Sequence, residues 1–307
     1  MAYPEFYKPE KVGTLYIPDT GAAMAAGQSA NEKAASEDTQ RNTLLLIDAQ
    51  VDFIHEDAAL SVPGAVEDTR RTIEWIFKHL GQITSIFASL DSHTPIQIFS
   101  PSWWADKDGN HPEPFTLISH EDVKSGKWNA LYQPNWSIEY TERLEEFAKK
   151  QLMIWPYHTL IGTSGHSITP ALYEAIAYHS SARQIPPRFI VKGMISETEN
   201  YSIFEPEIKV KNDPNGGLNQ VLLNELAAYD KIYVAGQAKS HCVLESVSSM
   251  MRYFADKPEI ISKIYILEDA MSSVVSPGID FEAIAQETFS KFAQNGLNIS
   301  STSQAKL

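Results

Sequence analysis

The sequence predicts an α/β fold: a parallel sheet covered by helices on both faces. Two observations lead there. From residue 43 onward, short apolar runs of strand character alternate with helical patterns, as consecutive β-α-β units do. Three of those runs also lead into a chemically competent residue, an acid, an amine and a thiol, and folds of this class bind ligands beyond the carboxyl ends of their strands.

In chain order, TLLLID (43 to 48) reads as the first strand and terminates in Asp48. The pattern VEDTRRTIEWIFKHLG (66 to 81) predicts a helix, and ITSIFASLD (83 to 91) a second strand. TPALYEAIAYHSSAR (169 to 183) reads as a helix, and RFIVKG (188 to 193) as a strand with Lys192 near its end. LNQVLLNELAAYD (218 to 230) is again helical and KIYVAG (231 to 236) strand-like. After a short polar loop, CVLESVSSMMRYF (242 to 254) resumes a helical pattern, and KIYILED (263 to 269) gives a further strand. Residues 1–40 mix Pro, Gly, Ala and charges without sustained periodicity, and are expected to form an extended arm or linker. Residues 94–150 interrupt the alternation with SPSWWADKDGNHPEPF and a charged helical stretch at 136–151, an excursion expected to lie over the strand ends. The expected organisation is an N-terminal arm (1–40) and one domain (41–307) with an insertion at about 94–150.

A formal net charge of −14 and a pI near 5.1 argue against a nucleic acid or an anionic membrane surface as partner. No apolar run approaches the roughly 18 residues that span a bilayer, and the polar start lacks a signal-peptide core, so a cytoplasmic protein is expected. The final Ala305-Lys306-Leu307 loosely resembles a peroxisomal address, a three-residue match that arises easily by chance. A single cysteine forms no internal disulfide and no Cys-rich zinc site.

That cysteine, Cys242, stands where a strand-like run gives way to a helix, a place where backbone N–H groups and the helix dipole favour a thiolate. A thiol nucleophile needs a base and is helped by a cation, roles open to Asp48 and Lys192. Taken singly, a strand-end Asp is a turn or cap, a Lys a solvated charge and a Cys an inert core residue. Together they define a candidate site.

Five segments in order, IDAQVDF (47 to 53), LDSH (90 to 93), WPYHTLIGTSGH (155 to 166), IVKG (190 to 193) and VAGQAKSHCV (234 to 243), resemble the motifs of the isochorismatase-like cysteine hydrolases, nicotinamidase branch. The resemblance runs from about 43 to 300. It implies a three-layer sandwich with a six-stranded, mainly parallel sheet, a homo-oligomer, and a catalytic triad of Asp48, Lys192 and Cys242. It further implies a cis peptide between Gln237 and Ala238 and an oxyanion hole from the backbone N–H groups of Ala238 and Cys242. Phe53 and Trp155 match ring-binding positions, Tyr201 falls near another, and His241 beside the nucleophile is expected to support it from outside the triad. Asp91, His93 and His158 match a metal site for zinc, iron or manganese, with no organic cofactor. One further ligand of the branch is missing, TPIQIFS (94 to 100) and Gln151 standing in its place, and His111, Glu113 and His120 are candidates for it.

The implied activity is hydrolysis of nicotinamide or a related small aromatic amide to the acid and ammonia through a thioester. The alternatives are a metal-independent hydrolase of N-carbamoyl or other acyclic amides, and a non-catalytic scaffold that keeps the fold for partner binding.

Overall fold

A computed structural model describes residues 3–276 and 278–307. Its centre is a six-stranded sheet with every neighbouring pair parallel: β1 (Asn42–Ile47), β2 (Ser85–Asp91), β3 (Arg188–Lys192), β4 (Lys231–Gly236), β5 (Ile264–Leu267) and β6 (Asn298–Ser300). The spatial order is β6-β5-β4-β1-β2-β3, which puts the four strands leading to Asp48, Asp91, Lys192 and Cys242 side by side. Alternation along the strands sorts their side chains onto two faces. Leu44, Leu46, Ile86 and Ala88 join one core, whereas Leu45, Ile47, Phe87 and Val234 join the other. Because both faces are buried, β1 and β4 read as continuous apolar runs rather than alternating ones.

The helices that cover the sheet are α1 (Thr20–Ser29), α2 (Ala65–Lys78), α3 (Pro170–Arg183), α4 (Gln220–Ala227), α5 (Leu244–Tyr253) and α6 (Phe281–Gln294). Residues of α1, α2 and α3 enter the first core, and those of α4, α5 and α6 the second, which makes three layers. Helix α1 corrects the expectation of an extended arm. Asp19 caps it by accepting the Ala22 N–H (2.9 Å), and its small residues pack on α3, where a side chain on Gly27 would come within 2.5 Å of the Tyr178 carbonyl oxygen. An Ala-rich helix that packs through small side chains has no amphipathic signature, so its sequence looks like a linker. The arm is held further by the buried Arg183, whose guanidinium donates to Asp38 (2.6 Å) and to the Lys33 carbonyl (2.7 Å).

Helix α6 and strand β6 were not among the expected elements. The helix carries a readable signal, Phe281, Ala285, Phe289 and Phe292 at helical spacing, whereas a three-residue polar strand such as β6 does not. Between β2 and α3 the excursion is ordered. Trp104–Ala105 pairs antiparallel with Asn129–Ala130, and Leu117–Ile118 with Leu152–Met153. Three of its four tryptophans are anchors: Trp103 Nε1 donates to Ser137 Oγ (3.0 Å), Trp104 Nε1 to the Ile98 carbonyl (2.6 Å) and Trp136 Nε1 to the Glu197 carbonyl (2.7 Å).

A buried histidine on α3 gives a pH prediction. His179 Nε2–H donates to the Ile83 carbonyl (2.9 Å), and burial lowers its pKa from 6.5 to about 4. The unfolded chain binds this proton more readily, so the contribution is intact above pH 6.5 and is lost as the pH falls toward 4. The loss is about 3 kcal/mol from this residue. Urea unfolding between pH 8 and 4 should show the decline, and His179→Gln should remove part of it. An unchanged slope in the variant would assign the decline to other groups.

Candidate active site

The site is built where β1, β2, β3 and β4 end together. Asp48 follows β1 with φ +45°, a strained value for a non-glycine residue, and is fixed there by Ser89. The Asp48 N–H donates to Ser89 Oγ (3.0 Å) and the Ser89 hydroxyl donates to Asp48 Oδ1 (2.6 Å). Gly236 ends β4 at φ +122°, where any Cβ would sit 2.0 Å from the Ile47 carbonyl oxygen, so only glycine lets the two strand ends meet. Gln50 clamps β2. Its Oε1 accepts the Asp91 N–H (2.7 Å), and its Nε2 donates to the carbonyls of Asp91 and His166 (both 2.8 Å).

Lys192 is the hub. Its Nζ lies 2.9 Å from Asp48 Oδ2 and 2.7 Å from Asp91 Oδ1, and donates to the Asn200 carbonyl (2.8 Å) and Cys242 Sγ (3.5 Å). All four side chains are buried, and Asp48, Asp91 and Cys242 bring an oxygen, an oxygen and the sulfur within 4.8 Å of one another. Burial works against the Lys192 ammonium, but the two carboxylates outweigh it and hold its pKa well above the usual lysine value. Asp91 meets the same burial penalty, yet the charges of His93 and Lys192 keep its carboxyl well below its ordinary range. Burial pushes Asp48 up despite Lys192. Burial also pushes the Cys242 thiol well up, reinforced by Asp48 and Asp91 and opposed by Lys192. Cys242 sits in the helical turn Lys239–Val243 that leads into α5, but the resting group is a thiol rather than the thiolate favoured by that position alone.

The loop before it contains a cis peptide bond between Gln237 and Ala238. The Ala238 carbonyl accepts the N–H groups of His241 (3.0 Å) and Val243 (3.2 Å), while the Ala238 N–H meets no protein acceptor among the described residues.

Asp91 also belongs to a second group with His93 and His158, whose potential ligand atoms lie within 4.8 Å of one another. His93 Nδ1 faces the Gly193 carbonyl (3.1 Å) and His158 Nδ1 the Pro156 carbonyl (2.7 Å), contacts that place a ring proton on each Nδ1 and turn each Nε2 toward Asp91. The two Nε2 atoms lie 2.9 and 3.7 Å from Asp91 Oδ2, and the buried His93 Nε2 has no hydrogen-bond partner among the described residues. Burial works against a charged His93, but Asp91 outweighs it and raises the His93 pKa, so a proton on Nε2 would satisfy this pair, and the same two nitrogens and carboxylate oxygen make a donor set that fits a divalent metal in that proton's place. The candidates for a further ligand do not join it. His111 Nδ1 is engaged by the Trp104 carbonyl (2.6 Å), Glu113 is exposed, and His120 lies beside Thr141 at the start of the short helix His120–Lys124. The excursion supplies aromatic rings instead: Phe99 packs on His93 (4.7 Å) and Phe115 edge-on to Trp155 (5.8 Å).

Phe53 packs against His158 (5.5 Å), on the metal-candidate side. Trp155 and Tyr201 line the nucleophile side, each 5.3 Å from His241, with Trp155 Nε1 donating to the Tyr201 hydroxyl (2.9 Å). Burial lowers the His241 pKa to about 3, aided by the nearby Lys150, so this imidazole is neutral. The sequence reading missed Ser89, Gln50, Asn200, Asp68 and Lys150. Gln50 lies inside IDAQVDF, Ser89 directly precedes LDSH and Asn200 directly precedes Tyr201, but nothing local marks Asp68 or Lys150. Lys150, at the end of the excursion, bonds Glu207 (2.6 Å) and Glu245 (2.8 Å) and covers the Tyr201 ring (5.1 Å).

The all-parallel sheet and its helical layers share their fold with solved nicotinamidase structures. An Acinetobacter baumanii nicotinamidase/pyrazinamidase is similar with a TM-score of 0.54 at 15% identity, over 87% of this chain and 99% of that one. The yeast nicotinamidase bound to the inhibitor nicotinaldehyde gives 0.55 at 16% identity, over 85% and 99%. The L. infantum PnC1 structure in complex with nicotinate gives 0.50 at 16% identity, over 87% and 95%. No protein-family model matches the chain, and no curated protein matches it. No helix among the described residues is long and apolar enough to cross a membrane.

Proposed function

We propose that this chain is a cysteine amidohydrolase of the nicotinamidase type, which converts nicotinamide or a related small aromatic amide to its carboxylic acid and ammonia. The observation that carries the reading is the buried Lys192 ammonium, 2.9 Å from Asp48 and 3.5 Å from Cys242 at the carboxyl edge of the sheet. Raised pKa values on both Asp48 and Cys242 suit a proton that moves between them rather than one released to solvent.

Asp48 takes the thiol proton as Cys242 Sγ bonds to the amide carbonyl carbon and the π pair moves onto oxygen. The N–H groups of Ala238 and Cys242 stabilise that oxyanion, and such donors are typically worth about 3 to 4 kcal/mol of barrier each. As the C–N bond breaks, Asp48 returns the proton and ammonia leaves. Water then attacks the thioester while Asp48 takes its proton, and the C–S bond breaks as that proton returns to sulfur. Lys192 stays charged throughout and keeps Asp48 oriented. Phe53, Trp155 and Tyr201 bind the aromatic ring by stacking and edge contacts. A divalent metal held by Asp91, His93 and His158 would supply a Lewis-acid anchor for a ring nitrogen.

Ammonia release from nicotinamide by metal-replete protein tests the reading, and absence of turnover would remove nicotinamide as substrate. Metal analysis tests the donor set independently. Purified protein should retain about one divalent ion per chain, and His93→Ala should reduce this to background without unfolding the chain. Equal metal content in the two proteins would place the ion elsewhere.

A further inference from the structure

We infer that Asp68, on α2 and remote in sequence from every motif, is a positioning residue for the Ala238 backbone donor and acts through the side chain of Gln237. The inference rests on the amidase reading above and names what aims its oxyanion hole.

Asp68 is buried, and so is Gln237. Gln237 Nε2 donates to Asp68 Oδ2 (2.9 Å), and Gln237 Oε1 accepts the Ser272 N–H (3.2 Å). The other Asp68 oxygen accepts from Arg71 Nη2 (2.7 Å), and Arg71 Nε donates to the Asp269 carbonyl. Burial raises the Asp68 pKa while hydrogen bonds from Ser272, Gln237 and Arg71 oppose the rise, and because both carboxyl oxygens face donors Asp68 permits one orientation of the Gln237 amide, with nitrogen toward α2 and oxygen toward Ser272. Ser272 then closes the frame, because its carbonyl accepts the Lys239 N–H (2.8 Å). The Gln237 N–H is tied to the Ile47 carbonyl at the end of β1 (2.8 Å). Both neighbours of Ala238 are thereby fixed, one through its side chain and backbone and the other through its backbone, while the Ala238 N–H itself meets no protein acceptor among the described residues.

A neutral apolar residue would fill the space beneath Gln237 at less desolvation cost than a carboxylate. What the carboxylate adds is orientation, and a donor to a developing oxyanion is effective only when held to a few tenths of an ångström. The effect should therefore fall on steps that build an oxyanion and spare thiol chemistry that does not.

The test compares wild type, Asp68→Ala, Asp68→Asn and Gln237→Met by three measurements. These are kcat and KM for ammonia release from nicotinamide, the affinity of pyridine-3-carbaldehyde, which adds the thiol to give an oxyanion, and the rate of Cys242 modification by methyl methanethiosulfonate, which builds none. Asp68→Ala should lower kcat by about 10- to 100-fold with KM within about twofold. Aldehyde affinity should fall in parallel, and the modification rate should stay within about twofold. Asp68→Asn, which keeps one acceptor oxygen for Gln237 Nε2 but turns an NH2 toward Arg71, should recover part of the loss, and Gln237→Met should reproduce it should Asp68→Ala fail to fold. Unchanged kcat and aldehyde affinity, or a modification rate that falls in step with kcat, would overturn the inference. A wild type that binds the aldehyde but hydrolyses no amide would refute the amidase reading and leave the aldehyde series to decide on Asp68. A wild type that does neither would refute both.

Discussion

Cys242→Ala should leave a folded protein whose amide turnover is lower by on the order of 10⁴-fold or more, the scale seen when a covalent nucleophile is deleted. The two halves of that expectation have separate causes. Cys242 lies in the core beside Val243, Leu244 and Val247, and its replacement by Ala removes one heavy atom, so the stability loss should be about 1 kcal/mol. The proposed chemistry loses its thioester-forming atom, a part that neither Asp48 nor Lys192 can take over. Ammonia release measured beside thermal unfolding separates the effects. A variant retaining more than about a tenth of wild-type turnover would exclude covalent catalysis by this thiol.

Lys192→Met should both abolish turnover and destabilise the protein, by about 3 to 5 kcal/mol near neutral pH. Methionine nearly matches the volume but leaves Asp48 and Asp91 buried without the ammonium that holds them. The response to pH has a definite sign. In the wild type the raised Lys192 pKa means its contribution is complete below the ordinary lysine range, hence at pH 7, and is lost only as the pH rises through the folded value. In the variant, Asp48 is already pushed up by burial and loses its main counter-charge, so its pKa rises further. A carboxyl with a raised folded pKa favours the folded state at low pH and penalises it as the pH rises. Lys192→Met should therefore lie closer to wild type at pH 5 than at pH 8 in denaturant unfolding. Equal stability at both values would show that the two carboxylates do not depend on this ammonium.

The fold was largely legible in the sequence because both faces of the sheet are buried. That makes β1 and β4 unbroken apolar runs, and the helices between them are long enough to show their period. The arm reads as extended because α1 packs through Ala23 and Gly27, and small residues leave no hydrophobic stripe. At the site, the motif segments named the residues that gather at the strand ends. They do not name Asp68, which comes from a helix that reads as ordinary scaffold, or Lys150, whose place depends on how the excursion folds back. Nor could they show that burial keeps Cys242 protonated. A helix N-terminus is visible in a sequence, whereas desolvation depends on what folds over it.

The ion group also bears on how the sheet assembles. Strand β3 is an edge strand whose flanking residues Phe189 and Val191 are substantially exposed, so apolar burial alone chooses weakly between pairing registers. Lys192 pairs directly with Asp91 on β2, and a shift by one residue would turn the lysine to the opposite face and present Val191 to two unsatisfied carboxylates. The charges that the proposed reaction would use thus also act as a proofreading element for strand pairing, and on that reading a molecule with a misregistered edge strand would lose activity as well as stability.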